Sequence, residues 1–321
     1  MRRELGQLSL ADGLVAQVGR NGTLERIGEL VDWTAFAGLL GGIYAAPVGR
    51  PSYGPLPLLK CLLLQQWYRL SDPGLEEALA DRLSFRRFVG LALADPVPDH
   101  STLSRFRAEL VKHGLAERLL AELNRQLDAR GLMLKEGTLV DATLVAADAK
   151  RPGKGAPVAG GSDPDARWVV QRNKATFGYK AHLAVDQGRS RGRLGLVRQA
   201  LLTGANVSEH TTAPDLVQGD EGVFYGDAGY DSRALRRQLR RTGVGDGIVH
   251  AARHHLPLTD AQRQRNRRLQ PLRAEVERTF AVMKRLYGYA RVRYRSLARN
   301  RLQLNLLCLA INLRRALALA A

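Results

Sequence analysis

Three carboxylates stand where chemistry explains them more readily than structure does. Asp141 lies inside the β-branched run TLVDATLVAA, Asp227 closes the apolar run VFYG, and Glu277 stands on a helical stretch between two bases, Arg273 and Lys284. An aspartate in the middle of a strand is costly to bury unpaired, so Asp141 needs an arginine, a backbone turn or a metal. Asp227 has an ordinary alternative, because turns use aspartate. Arg273, Glu277 and Lys284 are separated by four and seven residues. At about 100° per residue they share one helix face within about 40°. Leu269, Leu272, Val276, Phe280 and Met283 form an apolar stripe beside it. The same spacing describes an ordinary ion pair on a surface helix, and the helix alone does not decide between the two.

Phosphoryl transfer with two metal ions gives a physical reason for such a set. Two Mg²⁺ ions about 4 Å apart activate the attacking oxygen and stabilise the leaving one. Mg²⁺ takes carboxylate oxygens and water in preference to nitrogen or sulfur. Two or three carboxylates converging from separate strands and a helix can hold the pair, while neighbouring Arg and Lys grip phosphate. The stretch GDAGYDS carries a second aspartate, Asp231, beside Ser232 and ahead of the helical run ALRRQLRR. There a side-chain oxygen caps free N–H groups. Asp227 is therefore assigned to metal and Asp231 to structure, with glycines 226 and 229 allowing the turn. Asp231→Asn is expected to be tolerated where Asp227→Asn is not.

Charge points to a polyanion. The chain of 321 residues has 49 Lys and Arg against 31 acids, a formal charge of +18. Between Ser232 and Arg301 stand 19 Lys and Arg against four acids, so this stretch holds most of the excess. A block of one sign is poorly explained as a solvated surface and well explained as a phosphate contact. The two cysteines, Cys61 and Cys308, lie in leucine-rich runs and read as small buried hydrophobes. No disulfide framework and no paired cysteine zinc motif is present in the sequence, and His254-His255 lacks further spaced ligands. No signal core follows the first charges, and the apolar stretch 302–321 is interrupted by Asn305, Asn312, Arg314 and Arg315. The expectation is a cytoplasmic protein with no membrane partner.

Two regions must position the site. LLKCLLLQQWYRL is apolar almost all round and predicts a buried helix, broken by Asp72-Pro73-Gly74. LEEALADRLSFRRFVGL, TLSRFRAELVKHG and GLAERLLAELNRQLDARG predict three more helices, with Asp99 or Ser101 as a cap and Gly131 as a stop. HSTLSRFRAEL reads equally as a structural helix and as the second helix of a helix-turn-helix that brings Arg105 and Arg107 near DNA. From Gly137 the pattern turns to short strands: TLVDATLVAA, FGYKAHLAVD, GLVRQALLTGANV, VFYGD and GDGIVH. Asp148 to Arg167 reads as a mobile loop. Asp186 reads as a hairpin-turn residue, and Lys180 lies on a polar strand face suited to DNA or to water. His254 to Gln270 is a polar, basic tract, and a long helix is expected from about Pro271 to Tyr287. The fold class is α/β, with an all-α region over 1–135 for DNA binding or dimerisation and a catalytic domain over 136–321.

These motifs, taken in order, resemble a known family. VDATLV, DPDAR…FGYKAHLAVD, TGANVSEH, GDAGYDS and an R-x3-E-x6-K helix are similar to bacterial insertion-sequence transposases of the DDE class, in the insertion-sequence-five group related to the insertion-sequence-four group. YGPLPLLKCLLLQQWYRLSD…DPVPDHSTLSRFR is similar to the helical region of that group. The resemblance spans roughly residues 50 to 310. It implies a ribonuclease-H-like core and two Mg²⁺ ions, with Mn²⁺ as a substitute, held by Asp141, Asp227 and Glu277. It implies cleavage of transposon ends by water and joining of the freed 3′-hydroxyl to target DNA. Arg273 and Lys284 match its phosphate-binding positions, and Arg278 and Arg285 on the same helix are further DNA candidates. The related signature has Tyr three residues before the Arg; here Gln270 stands there, so a hairpin route for the second strand does not carry over.

The resulting expectation is a transposase acting on the terminal inverted repeats of its own element, on double-stranded DNA, as a homodimer in the DNA complex. Two alternatives share parts of the same sequence: a structure-specific metal-dependent nuclease or resolvase, and a catalytically inactive DNA-binding regulator.

Overall fold

The computed structural model describes residues 5–14, 18–44, 52–149, 153, 163–171, 173–187, 195–252 and 255–320. Most of the expected mobile loop at 148–167, and His254, lie outside the described residues. The chain divides into two compact units: residues 1–126 together with 305–321, and residues 127–304. The sequence reading draws one boundary at 135/136. In the structure the end of the chain groups with the helical unit instead, because its apolar residues pack there.

The first unit is helical: α1 (Leu10–Leu14), α2 (Gly22–Leu30), α3 (Trp33–Leu39), α4 (Pro55–Tyr68), α5 (Asp72–Asp81), α6 (Leu83–Val89), α7 (His100–Lys112) and most of α8 (Ala116–Ala129). As its composition predicts, α4 is buried nearly all round, with Leu58, Leu59, Cys61, Leu62, Leu63 and Leu64 inside. α4 stops at Tyr68, just ahead of Asp72-Pro73-Gly74 as expected, and that tripeptide forms the first turn of α5. Proline is tolerated there because the N–H it lacks has no helical partner, and Ser71 Oγ caps Gly74 N at 3.1 Å. The expected helix after it splits at Arg82 into α5 and α6. Asp99, not Ser101, caps α7 by accepting from Thr102 N at 2.6 Å. Asn312 Nδ2 donates to Asn124 Oδ1 and Trp67 Nε1 donates to Ala310 O, both at 2.9 Å, and Cys308 is buried. The last helix of the chain, Leu297–Leu319, is long and apolar enough by composition to cross a membrane, yet 83% of its apolar window is buried in the protein.

The second unit is a mixed α/β structure. Its strands are β1 (Gly137–Ala146), β2 (Arg167–Gln171), β3 (Lys174–Asp186), β4 (Val197–Gly204), β5 (Val223–Gly226) and β6 (Gly245–Ile248). They form one sheet in the order β2-β3-β1-β5-β6, with β4 also paired to β3. β3 is antiparallel to β1, β2 and β4, whereas β5 is parallel to β1 and to β6. The five expected strands are present. β2 escapes a reading based on hydrophobic alternation because its side chains are mostly exposed, and backbone pairing in a hairpin with β3 holds it. Helices α9 (Glu209–Leu216) and α10 (Arg233–Thr242) pack on one sheet face. Ala213, Leu216, Leu235 and Leu239 meet Val140, Ala184, Phe224 and Ile248 there.

The long helix expected from about Pro271 to Tyr287 is a 3₁₀ turn (Gln270–Arg273) followed by α12 (Ala274–Arg285); a further helix, α11 (Asp260–Leu269), precedes it, and α13 (Leu297–Leu319) ends the chain. Pro271 has no N–H to give and clashes with a preceding helical turn, so the chain tightens and restarts. In the sequence α11 reads only as a polar tract because it has no apolar period; none of its residues is buried.

Candidate active site

Strand register brings the first two carboxylates together. β1 and β5 run parallel with Leu139 opposite Tyr225. Two residues further on, on the same pleat face, come Asp141 on β1 and Asp227, one residue past the end of β5. The neighbouring Val140 points to the α9–α10 core, so Asp141 points to the opposite face, where α12 packs against β1. Val276, Phe280 and Met283 bury the inner stripe of α12, and Glu277 remains exposed at its edge. The 3₁₀ turn before α12 aims Arg273 into this group. Its guanidinium nitrogen lies 4.0 Å from Asp141 Oδ2, 3.8 Å from Asp227 Oδ2 and 3.9 Å from Glu277 Oε1. Lys284, two turns along α12, donates to Thr143 Oγ1 on β1 at 2.5 Å. The four side chains singled out by spacing thus gather with Asp141.

The electrostatics follow from this crowding. Burial raises the Asp141 carboxyl to about 6, and the Asp227 and Glu277 carboxylates push the same way. The amide of Ala142 and the Arg273 guanidinium oppose the shift. Burial also lowers the Lys284 ammonium, against the pull of Asp141. Asp227 Oδ1 accepts from Gly229 N at 2.8 Å, which leaves Oδ2 for the site. The two glycines serve closeness rather than left-handed backbone, since neither has a positive φ. A Cβ on Gly229 would lie 3.0 Å from Asp227 Oδ1, and one on Gly226 would lie 3.1 Å from Tyr230 Cβ.

The donor set suits a hard divalent ion by its chemistry: three carboxylates, with Asp141 Oδ2, Asp227 Oδ2 and Glu277 Oε1 all turned to one cationic centre. Among the described residues, no three metal-ligating side chains stand close enough to hold an ion as they are. The guanidinium of Arg273 lies between them and offsets part of their charge.

Several assigned residues do something else. Lys180 does not face DNA or solvent: it is 8% exposed and donates to Glu209 Oε1 at 2.9 Å and Val207 O at 2.7 Å. Arg107 is also buried, in an ion pair with Asp72 that closes α7 onto α5. Arg105 is exposed but turned back onto Ser101 Oγ at 3.0 Å. Arg278 and Arg285 are exposed on α12. Asp231 is structural without being the cap. Ser232 caps α10 by accepting from Leu235 N, while Asp231 pairs with Arg236 Nε at 3.0 Å and accepts from Ala251 N at 2.9 Å. Asp186 is buried and accepts from Leu134 N at 2.8 Å and Lys135 N at 3.0 Å, so it pins the entry to β1 rather than only turning a hairpin.

Sequence reasoning missed two neighbours of the cluster. Tyr230 is fully buried, and its hydroxyl has no hydrogen-bond partner among the described residues. Burial raises that hydroxyl's pKa, as do Asp141, Asp227 and Glu209. Glu209 reaches the same turn: its Oε2 would lie 3.8 Å from a Cβ on Gly229. A charged Glu and a charged Lys on neighbouring β-to-helix elements were the available signal, but their partnership needs the β3–α9 packing.

Beside Lys180, His182 is wholly buried and hydrogen-bonded to Thr203 Oγ1 at 3.0 Å and Thr212 Oγ1 at 3.2 Å. Burial, with Lys180 nearby, holds its imidazole down at about 4. The unfolded chain takes up this proton near pH 6.5 and the folded chain does not, so acid favours unfolding. Stability is full above about pH 6.5 and falls by up to about 3 kcal/mol as the pH drops to about 4. Urea unfolding at about pH 7 and about pH 4.5 should show a smaller loss for His182→Gln than for the unaltered chain; equal losses would refute the assignment.

Comparison with known families places the chain. A family model described as "Transposase DDE domain" matches residues 133–313, and the chain belongs to that family. A second, described as "Transposase domain", matches residues 14–109 in the helical unit, and together they mark a DDE-type insertion-sequence transposase. No solved structure matches the chain. A transposase acts on DNA, and this family works with divalent metal ions.

Proposed function

We propose that the protein binds the terminal inverted repeats of its insertion sequence, cleaves the ends by Mg²⁺-dependent hydrolysis and joins the 3′-hydroxyl ends to target DNA. The observation that carries this reading is the convergence of Asp141, Asp227 and Glu277 on Arg273. The sheet supports a ribonuclease-H-like core. β4, β3 and β1 are antiparallel neighbours, β5 and β6 continue parallel to β1, and the carboxylates stand at the central pair.

Asp141, Asp227 and Glu277 would hold the ions, Mg²⁺ or Mn²⁺. These ions lower the pKa of a nucleophile and neutralise the charge that builds on phosphate. The chain's own residues do the rest. Asp141 is fixed in a strand and Asp227 is tied to Gly229 N, so neither moves far as substrate arrives. Arg273 and Lys284 stand beside them and grip the phosphates flanking the cut. With DNA bound, Arg273 would exchange its carboxylate neighbours for phosphate oxygens, because a bidentate guanidinium–phosphate pair outweighs contacts of 3.8–4.0 Å. Paired ends require a homodimer on DNA, in the cytoplasm at the nucleoid.

A nuclease or resolvase would use the same carboxylates, so joining rather than cutting separates the readings. The test incubates the protein and Mg²⁺ with DNA that flanks its coding region and a supercoiled plasmid. Plasmid covalently joined to the 3′ ends is the expected product. Cut ends that never join would favour the nuclease, and intact DNA under all conditions would refute both.

A further inference from the structure

α11 is an anomaly of the second unit. It buries none of its residues, although most helices in folded proteins owe their stability to a packed apolar face. Ten residues alone make a marginal helix in water, and four arginines repel one another along it. Polar anchors hold it. A capping box links Thr259 and Gln262 at its start. Arg265 donates to Ile248 O at 2.6 Å and to Asp246 O. Asn266 accepts from His250 N and donates to His250 O, each at 3.0 Å. One side of the helix is thereby fixed to the end of β6.

The other side is left to solvent. Gln264, Arg267 and Arg268 are exposed and stand three and four residues apart, so they share one face. Arg267 and Arg268 have no hydrogen-bond or ion-pair partner among the described residues. From Arg268 the chain reaches Arg273 in five residues through the 3₁₀ turn, a rise of roughly 10 Å or less. An anchored helix therefore holds two unneutralised guanidinium groups and an amide side chain a few residues up the chain from Arg273, which lies among the carboxylates.

We propose that this outer face of α11 is a contact surface for double-stranded DNA, with Arg267 and Arg268 each gripping a backbone phosphate beside the cluster. The reading rests on the proposed action on DNA. Charge complementarity selects the partner: the helix is basic, lacks the apolar patch a protein partner would need, and carries donors that suit phosphate oxygens.

The test measures binding to a mixed-sequence DNA duplex in EDTA over a range of salt. R267A/R268A should lower the slope of log K against log[salt] by about 2, since each phosphate contact that forms releases about 0.9 of a counterion and two would be lost. R20A/R125A removes the same charge from two arginines that already pair with Glu25 and Glu122, and should leave the slope unchanged. R267K/R268K should restore the slope, which separates loss of phosphate contact from loss of the helix. An unchanged slope in R267A/R268A would overturn the proposal, as would an equal loss in the control. A chain that binds no duplex at all would instead refute the action on DNA.

Discussion

Asp227→Asn is expected to reduce Mg²⁺-dependent DNA cleavage by at least about a thousandfold, because losing one ligand forfeits several kcal/mol of transition-state stabilisation. Asparagine keeps an oxygen that can accept from Gly229 N, so the turn and the fold should survive. DNA affinity in EDTA should stay within about twofold, since Asp227 contributes no positive charge. Asp231→Asn is the matched control. It weakens the pair with Arg236 and destabilises the fold by about 1–2 kcal/mol, but it leaves cleavage per folded molecule intact. The expectation that this change is tolerated is thus kept for cleavage and gains a stability cost: Asp231 is nearly buried and holds both Arg236 and the chain at Ala251. Equal cleavage by the Asp227 variant and the unaltered chain would remove Asp227 from the site.

Arg107→Ala should destabilise the helical unit by about 3 kcal/mol or more while leaving the salt slope of DNA binding unchanged. The change leaves the Asp72 carboxylate without its guanidinium partner; among the described residues Gln65 Nε2 still donates to it at 2.6 Å. A residue that gripped DNA would behave oppositely, with stability kept and the slope reduced by about one. Thermal unfolding and salt-dependent binding on the same sample distinguish the two outcomes.

The site was legible in the sequence to the extent that one-dimensional spacing fixes three-dimensional neighbours. Glu277 and Lys284 lie on one helix, so their common face follows from period alone. Arg273 precedes that helix in a 3₁₀ turn and still reaches the cluster, because one tight turn moves it little. The pairing of Asp141 with Asp227 rests on strand register, which sequence suggests only through where each apolar run ends. Lys180 and Arg107 mislead for a shared reason: a base on an amphipathic element looks solvent-facing until a carboxylate from another element covers it. Glu209 on α9 and Asp72 on α5 are those carboxylates, and only packing brings them there. α11 shows the reverse failure, a helix without hydrophobic period, held by caps and side-chain bonds that leave no periodic trace.

The central claim is that Asp141, Asp227 and Glu277 gather divalent ions, and counting those ions tests it most directly. Mn²⁺ titration of the protein–DNA complex, followed by electron paramagnetic resonance with the signal of DNA alone subtracted, should show uptake by the unaltered chain. Asp227→Asn combined with Glu277→Gln should abolish that uptake while the complex itself persists. Identical Mn²⁺ uptake by the two proteins would contradict the account.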